Sequence, residues 1–179
     1  DSNSYFVVYG SDFTSMGSSV SLNNVYFNGS GLQTLTGAGS WTGNGEFYVA
    51  SGSTTVLADD MALAFSQFSV DGDFLLDDHT LTFSSATSLS FTNWGTFAMG
   101  SQALAFNAPD GADFTNYGTA SGSGIFRTSG AVSVYADGAF NPPLEVASGL
   151  TTAYGTFGGG LTVQAGATLM VPDNNILTA

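Results

Sequence analysis

A seven-residue element, aromatic-x-x-x-Gly-x-aromatic, recurs along this chain and constrains its fold more than any other feature. It reads Trp41-TGN-Gly45-E-Phe47, Phe68-SVD-Gly72-D-Phe74, Phe91-TNW-Gly95-T-Phe97 and Phe114-TNY-Gly118-T-Ala120, with degenerate copies around Gly138 and Gly155. The intervals between these glycines are 27, 23, 23, 20 and 17 residues. A unit of that length cannot bury an apolar face alone, so it must stack on its neighbours. Helix is excluded as the unit: the chain has 24 Gly, is rich in Ser and Thr, and carries no sustained 3.6-residue apolar period. Short alternating runs bounded by turn residues take its place, at Leu75 to Phe83, Leu104 to Phe106, Ala131 to Tyr135 and Leu161 to Val163. The fold class is all-β.

Two strand arrangements satisfy the repeat. In a parallel β-solenoid of five or six coils, equivalent positions form ladders at about 4.8 Å. Phe47, Phe74, Phe97, Phe140 and Phe157, each two residues after a repeat glycine, would then stack inward, with Ala120 as a gap. Gly45, Gly72, Gly95, Gly118, Gly138 and Gly155 would supply positive φ at a corner, beside a polar ladder of Asn93 and Asn116. In the alternative, an antiparallel sandwich or jelly roll, Asn44-Gly45, Asp71-Gly72, Asp110-Gly111 and Asp137-Gly138 would be hairpin turns. The copies at Gly95 and Gly118 lack the hairpin dipeptide but keep the repeat, which favours the solenoid. Residues 1–35 do not show the repeat and are expected to be a cap or an exchanged strand; residues 36–179 form the repeat domain.

The phrases FTNWGTF, FTNYGTA and, from Gly158 to Val171, GGGLTVQAGATLMV resemble repeats of autotransporter-passenger and filamentous-adhesin β-helices. The resemblance spans about residues 40 to 179 and lies in repeat style. It implies an exported, β-helical, cell-surface protein with adhesive or structural work.

Charge narrows the partners. The formal net charge of −13 comes from 14 acids set against a single Arg127 and no Lys, with one histidine, His79. Charged residues make up only 8% of the chain, so it is depleted of cations more than enriched in acids. One Arg cannot neutralise phosphates, which excludes nucleic acid, and the same shortage excludes attachment to anionic lipid. No apolar run is long enough for a membrane-spanning helix. Zero Cys excludes disulfides and thiolate chemistry.

Candidate chemistry is sparse, and no enzyme is expected. His79, next to Asp77 and Asp78 and near Ser84 and Ser85, has the residue types of a general base, but no nucleophile elbow accompanies it. The acidic pairs Asp59/Asp60, Asp71/Asp73, Asp77/Asp78 and Asp110/Asp113 read as turn chemistry. Their alternative uses are the acid and base of a polysaccharide-acting glycosidase and Ca²⁺ binding, for which Asp71, Asp73, Asp110 and Asp113 are the candidates; no cofactor is otherwise expected. Trp41, Trp94, Tyr117 and Tyr154 are read as exposed aromatics suited to stacking on sugars, and Trp94, Tyr117 and Tyr154, each just before a repeat glycine, would form an outward stripe suited to glycans or to another subunit. Asn28-Gly29-Ser30 is an N-glycosylation acceptor sequence. A strand stack without Lys lacks the commonest protection of its edges. The leading expectation is therefore an extracellular structural protein that self-assembles into a fibre, sheath or surface layer, its partner being its own copies. A monomeric adhesin or carbohydrate-binding module on the cell surface is the alternative.

Overall fold

A computed structural model describes residues 5–14, 19–37, 39–84 and 88–172. All of the regular structure among them is β-strand, and every strand pair is parallel. The chain winds as a three-sided β-solenoid. One turn runs along a first face (for example Glu46–Val49), a second face (Ser53–Leu57) and a third face (Met61–Ala64), then returns to the first at Gln67–Val70. The second face contains seven strands, so the chain makes about seven turns, more than the five or six expected. Parallel pairing removes the antiparallel sandwich: Asn44-Gly45 and Asp71-Gly72 are corners between faces, and Asp110-Gly111 bends the long strand Leu104–Asn116 around a corner.

Alternation decides which side chains face in. On the first face Phe47, Phe68, Phe91 and Phe114 occupy one register column and are fully buried. Phe47 stacks on Phe68 with ring centroids 4.7 Å apart and planes 9° apart. On the second face the inward column reads Gln33, Thr55, Phe74, Phe97, Ala120 and Phe140. Phe157 continues it, 5.1 Å from Phe140. The third face contributes Trp41, Leu63, Phe83 and Phe106. The three sets meet on the axis, where edge-on and tilted ring pairs link them, as in Phe68–Phe83 and Phe91–Phe97. Aromatic pairs of this kind add about 0.5–1.5 kcal/mol each beyond the area they bury.

These columns revise the expected ladder. Phe47 belongs to the first face, whereas Phe74, Phe97, Phe140 and Phe157 belong to the second, because Gly45 sits at the corner between the third and first faces while Gly72 sits at the corner between the first and second. The apparent copy at Trp41 is offset by one face. Ala120 leaves a space in the second-face column, and Phe114 of the first face packs against both neighbouring rungs, 6.5 Å from Phe97 and 6.0 Å from Phe140. The run Leu75 to Phe83 is two strands, Asp73–Leu75 and Leu81–Ser84, separated by a turn in which Asp77 takes φ 53°. The described residues among 1–35 wind with the rest: Tyr5–Val8 pairs with Asn24–Phe27, and Asn24–Phe27 with Glu46–Val49.

The glycines act differently from expectation. Gly72, Gly95, Gly118 and Gly138 stack at one corner, and none has positive φ; among the six repeat glycines only Gly155 does, at 100°. A Cβ on Gly95 would lie 1.9 Å from the Gly72 carbonyl oxygen, and one on Gly118 would lie 2.1 Å from that of Gly95. Close approach of successive backbones, not handedness, requires glycine there. Gly45 sits at the corner before the first face, against Asn24, and Gly155 stands in register with Ala136 instead of Gly138.

Candidate functional site

The polar ladder lies where the repeat puts it. Asn93 and Asn116 are fully buried in register at the end of the first face. The Asn93 amide Nδ2 donates to Asn116 Oδ1 at 2.7 Å and to the Thr119 carbonyl at 3.2 Å. The Asn116 amide donates to the carbonyls of Gly118 and Ala139. These bonds tie the buried amides to corner carbonyls, of which that of Gly118 also accepts the Ala139 N–H.

Trp94 and Tyr117 follow those asparagines and project outward at the corner, 59% and 45% exposed. Their rings stack 4.0 Å apart at 17°. Asp71 precedes them in the same column, since its N–H, like those of Trp94 and Tyr117, bonds the carbonyl closing the strand one coil back. Tyr154 is not part of this stripe. It pairs with Tyr135, in register with Thr115, two residues earlier along the face, and stacks on Tyr135 at 4.3 Å and 8°. Face-to-face stacking covers one face of each ring, so Trp94 and Tyr117 present ring edges and two outer faces, not a flat platform.

The four calcium candidates are split. Asp71 accepts a 2.6 Å bond from the Tyr48 hydroxyl, and Asp73, on the second face, accepts one from Thr54. Asp110 and Asp113 are exposed around the bend between the third and first faces, about two coils away. Among the described residues no three His, Cys, Asp or Glu side chains gather to hold a metal ion. His79 faces Asp60 of the preceding coil, with Nδ1 3.8 Å from Oδ1, and not Asp77 or Asp78. Asp60 also accepts the Thr80 N–H at 2.7 Å, which holds its carboxyl below the usual range. Ser84 is exposed at a strand end, and Ser85 lies outside the described residues. Arg127 is bound to Glu145 through Nε at 2.9 Å and Nη2 at 2.8 Å, lowering the Glu145 pKa.

The most developed surface feature is one that the repeat search passes over. Tyr26 and Tyr48 are register partners on the outward side of the first face, with ring centroids 5.6 Å apart at 81°. Tyr5 stacks on Tyr26 at 5.3 Å. A groove of about 460 Å³ runs beside them, lined by Val7, Tyr9, Tyr26, Asn28, Tyr48, Ala50 and Ser51. The signal was available in the triplets VYF at 25–27 and FYV at 47–49, each placing a Tyr between two inward residues. Comparison with other proteins adds no assignment: the chain matches no protein-family model, no curated protein and no solved structure.

Proposed function

We propose that this chain is an exported structural protein that builds a fibre, sheath or surface layer by adding the terminal coil of one copy to that of the next. One observation carries the reading: at both extremities of the described solenoid, the end strands pair on one side only and expose apolar side chains. Tyr5, Phe6 and Val7 are exposed at one end, and Val163, Met170 and Val171 at the other. Unpaired parallel edges of this kind are templates for another strand. The lack of Lys leaves them without the usual charge protection. Extracellular life fits a chain whose one Arg lies inside a strand paired on both sides. Light scattering and negative-stain microscopy across protein concentration, salt and Ca²⁺ test the reading. Concentration-dependent filaments are expected, abolished by Val7→Lys with the circular dichroism spectrum unchanged; a monomer under all conditions overturns it.

A second reading, a glycan-binding surface module, rests on the exposed Trp94–Tyr117 pair. Glycan-array binding lost in Trp94→Ala supports it, and an array without signal removes it.

A further inference from the structure

Four of the chain's seven tyrosines, Tyr5, Tyr9, Tyr26 and Tyr48, gather at the first turns of the solenoid, and three of them touch ring to ring. The hydroxyls of Tyr26 and Tyr48 are already committed. Tyr48 donates to Asp71 Oδ2 at 2.6 Å, and Tyr26 donates to Glu46 Oε2 at 3.3 Å. The bond to Asp71 pushes the Tyr48 hydroxyl up to about 12, while burial, reinforced by Glu46, raises that of Tyr26, so both stay protonated and neutral.

Three consequences define what the groove accepts. The two near-perpendicular rings are held in place by carboxylates, which makes the wall rigid before any ligand arrives. With their protons turned toward the acids, the phenols offer ring clouds and oxygen lone pairs, and the carboxylates add negative potential behind the rings. No Lys or Arg side chain competes: the chain has no Lys, and Arg127 is paired with Glu145 on the third face. The Tyr26 and Tyr48 rings, in a chain of net charge −13, are complementary to a cation that binds by its charge and its methyl surface, not by donating hydrogen bonds.

We propose that the groove at Tyr9, Tyr26 and Tyr48 binds a small organic cation of the quaternary or methylated ammonium class. Tyr26 and Tyr48 supply the cation–π contacts, and Asp71 and Glu46 orient the rings and supply charge. The groove opens on the outward side of the first face, with Val7 and Tyr9 of the end coil on its rim.

The test is titration of the intact chain by calorimetry and by tyrosine-resolved NMR at constant ionic strength. The probes are choline, its neutral carbon isostere 3,3-dimethylbutan-1-ol, and methyl glucoside. Saturable choline binding that shifts the Tyr26 and Tyr48 ring signals is expected, with the isostere weaker by about tenfold or more. Tyr48→Phe, which keeps the ring, is expected to retain binding. Tyr48→Leu abolishes it, and Asp71→Asn weakens it several-fold. If Tyr48→Leu fails to fold, Asp71→Asn and the isostere comparison decide alone. Equal binding of the isostere, binding of the glucoside but not choline, or no saturation by choline at concentrations on the order of 10 mM overturns the proposal.

Discussion

The Asn93 amide donates to Asn116 Oδ1 across 2.7 Å, with both side chains fully buried, while Asn93 Oδ1 has no donor among the described residues. The reason is one rung away: the register partner of Asn93 on the preceding coil is Val70, which has no side-chain amide to give. The ladder therefore has two rungs and one open end. Asn116→Ala removes the acceptor of Asn93 and two bonds to backbone carbonyls. It is expected to lower stability by about 2–3 kcal/mol, measured by urea unfolding. The double variant with Asn93→Ala should cost less than the two single losses added together, because the pair acts as a unit.

Gly95→Ala is expected to be among the most damaging single substitutions, at about 3 kcal/mol or more, because its Cβ would meet the Gly72 carbonyl, which cannot move without shifting the coil. Gly10→Ala, with no atom within 4 Å of its added Cβ, should change stability by less than about 0.5 kcal/mol. Thermal unfolding of the two variants side by side checks the contrast.

Ala120→Phe should destabilise by about 1–3 kcal/mol although it restores the aromatic series, since Phe114 already packs against Phe97 and Phe140 on either side. A rise in melting temperature would show that the space was empty.

Arg127 offers trypsin its one cleavage site, and that bond lies in Phe126–Ala136, hydrogen-bonded to strands on both sides. The native chain should resist trypsin at concentrations that degrade unfolded controls. On partial denaturation it should yield two fragments meeting at residue 127, read by mass spectrometry. Cleavage under native conditions would mean that this part of the solenoid opens readily.

Alkaline pH should weaken the fold. The Tyr48 hydroxyl ionises near pH 12 in the fold against an ordinary value of 10.0, so the folded state favours its protonated form. That contribution is complete below about pH 10 and is lost as the pH rises toward 12. Melting temperature followed by circular dichroism should be flat up to pH 10 and fall beyond it. Tyr48→Phe should make the decline shallower without removing it, because Tyr26 and Tyr135 are raised as well.

Spacing alone revealed that the chain is a stack of coils, because a glycine that must admit a neighbouring backbone and a Phe that must face inward recur wherever the chain returns to the same corner. Trp41-TGN-Gly45-E-Phe47 mimicked the pattern from a different corner, since a period read along one dimension does not say which face a residue occupies. Tyr154 was misaligned with Trp94 for the same reason: its glycine stands in register with Ala136, so counting back from glycine lands on the wrong column. The coils at Tyr5–Val8 and Asn24–Phe27 escaped notice because Val25 and Phe27 fill inward positions without the Gly-x-Phe phrase.

By itself the sequence determined the all-β class, the repeat, the buried asparagine pair and the shortage of cations, because each follows from residue type and interval. Only the tertiary structure decided the three-sided parallel winding, the division of the phenylalanines among three faces and the meeting of Tyr26, Tyr48 and Asp71. Those depend on which coil lies against which, and one residue of difference in register moves a side chain from the core to the surface.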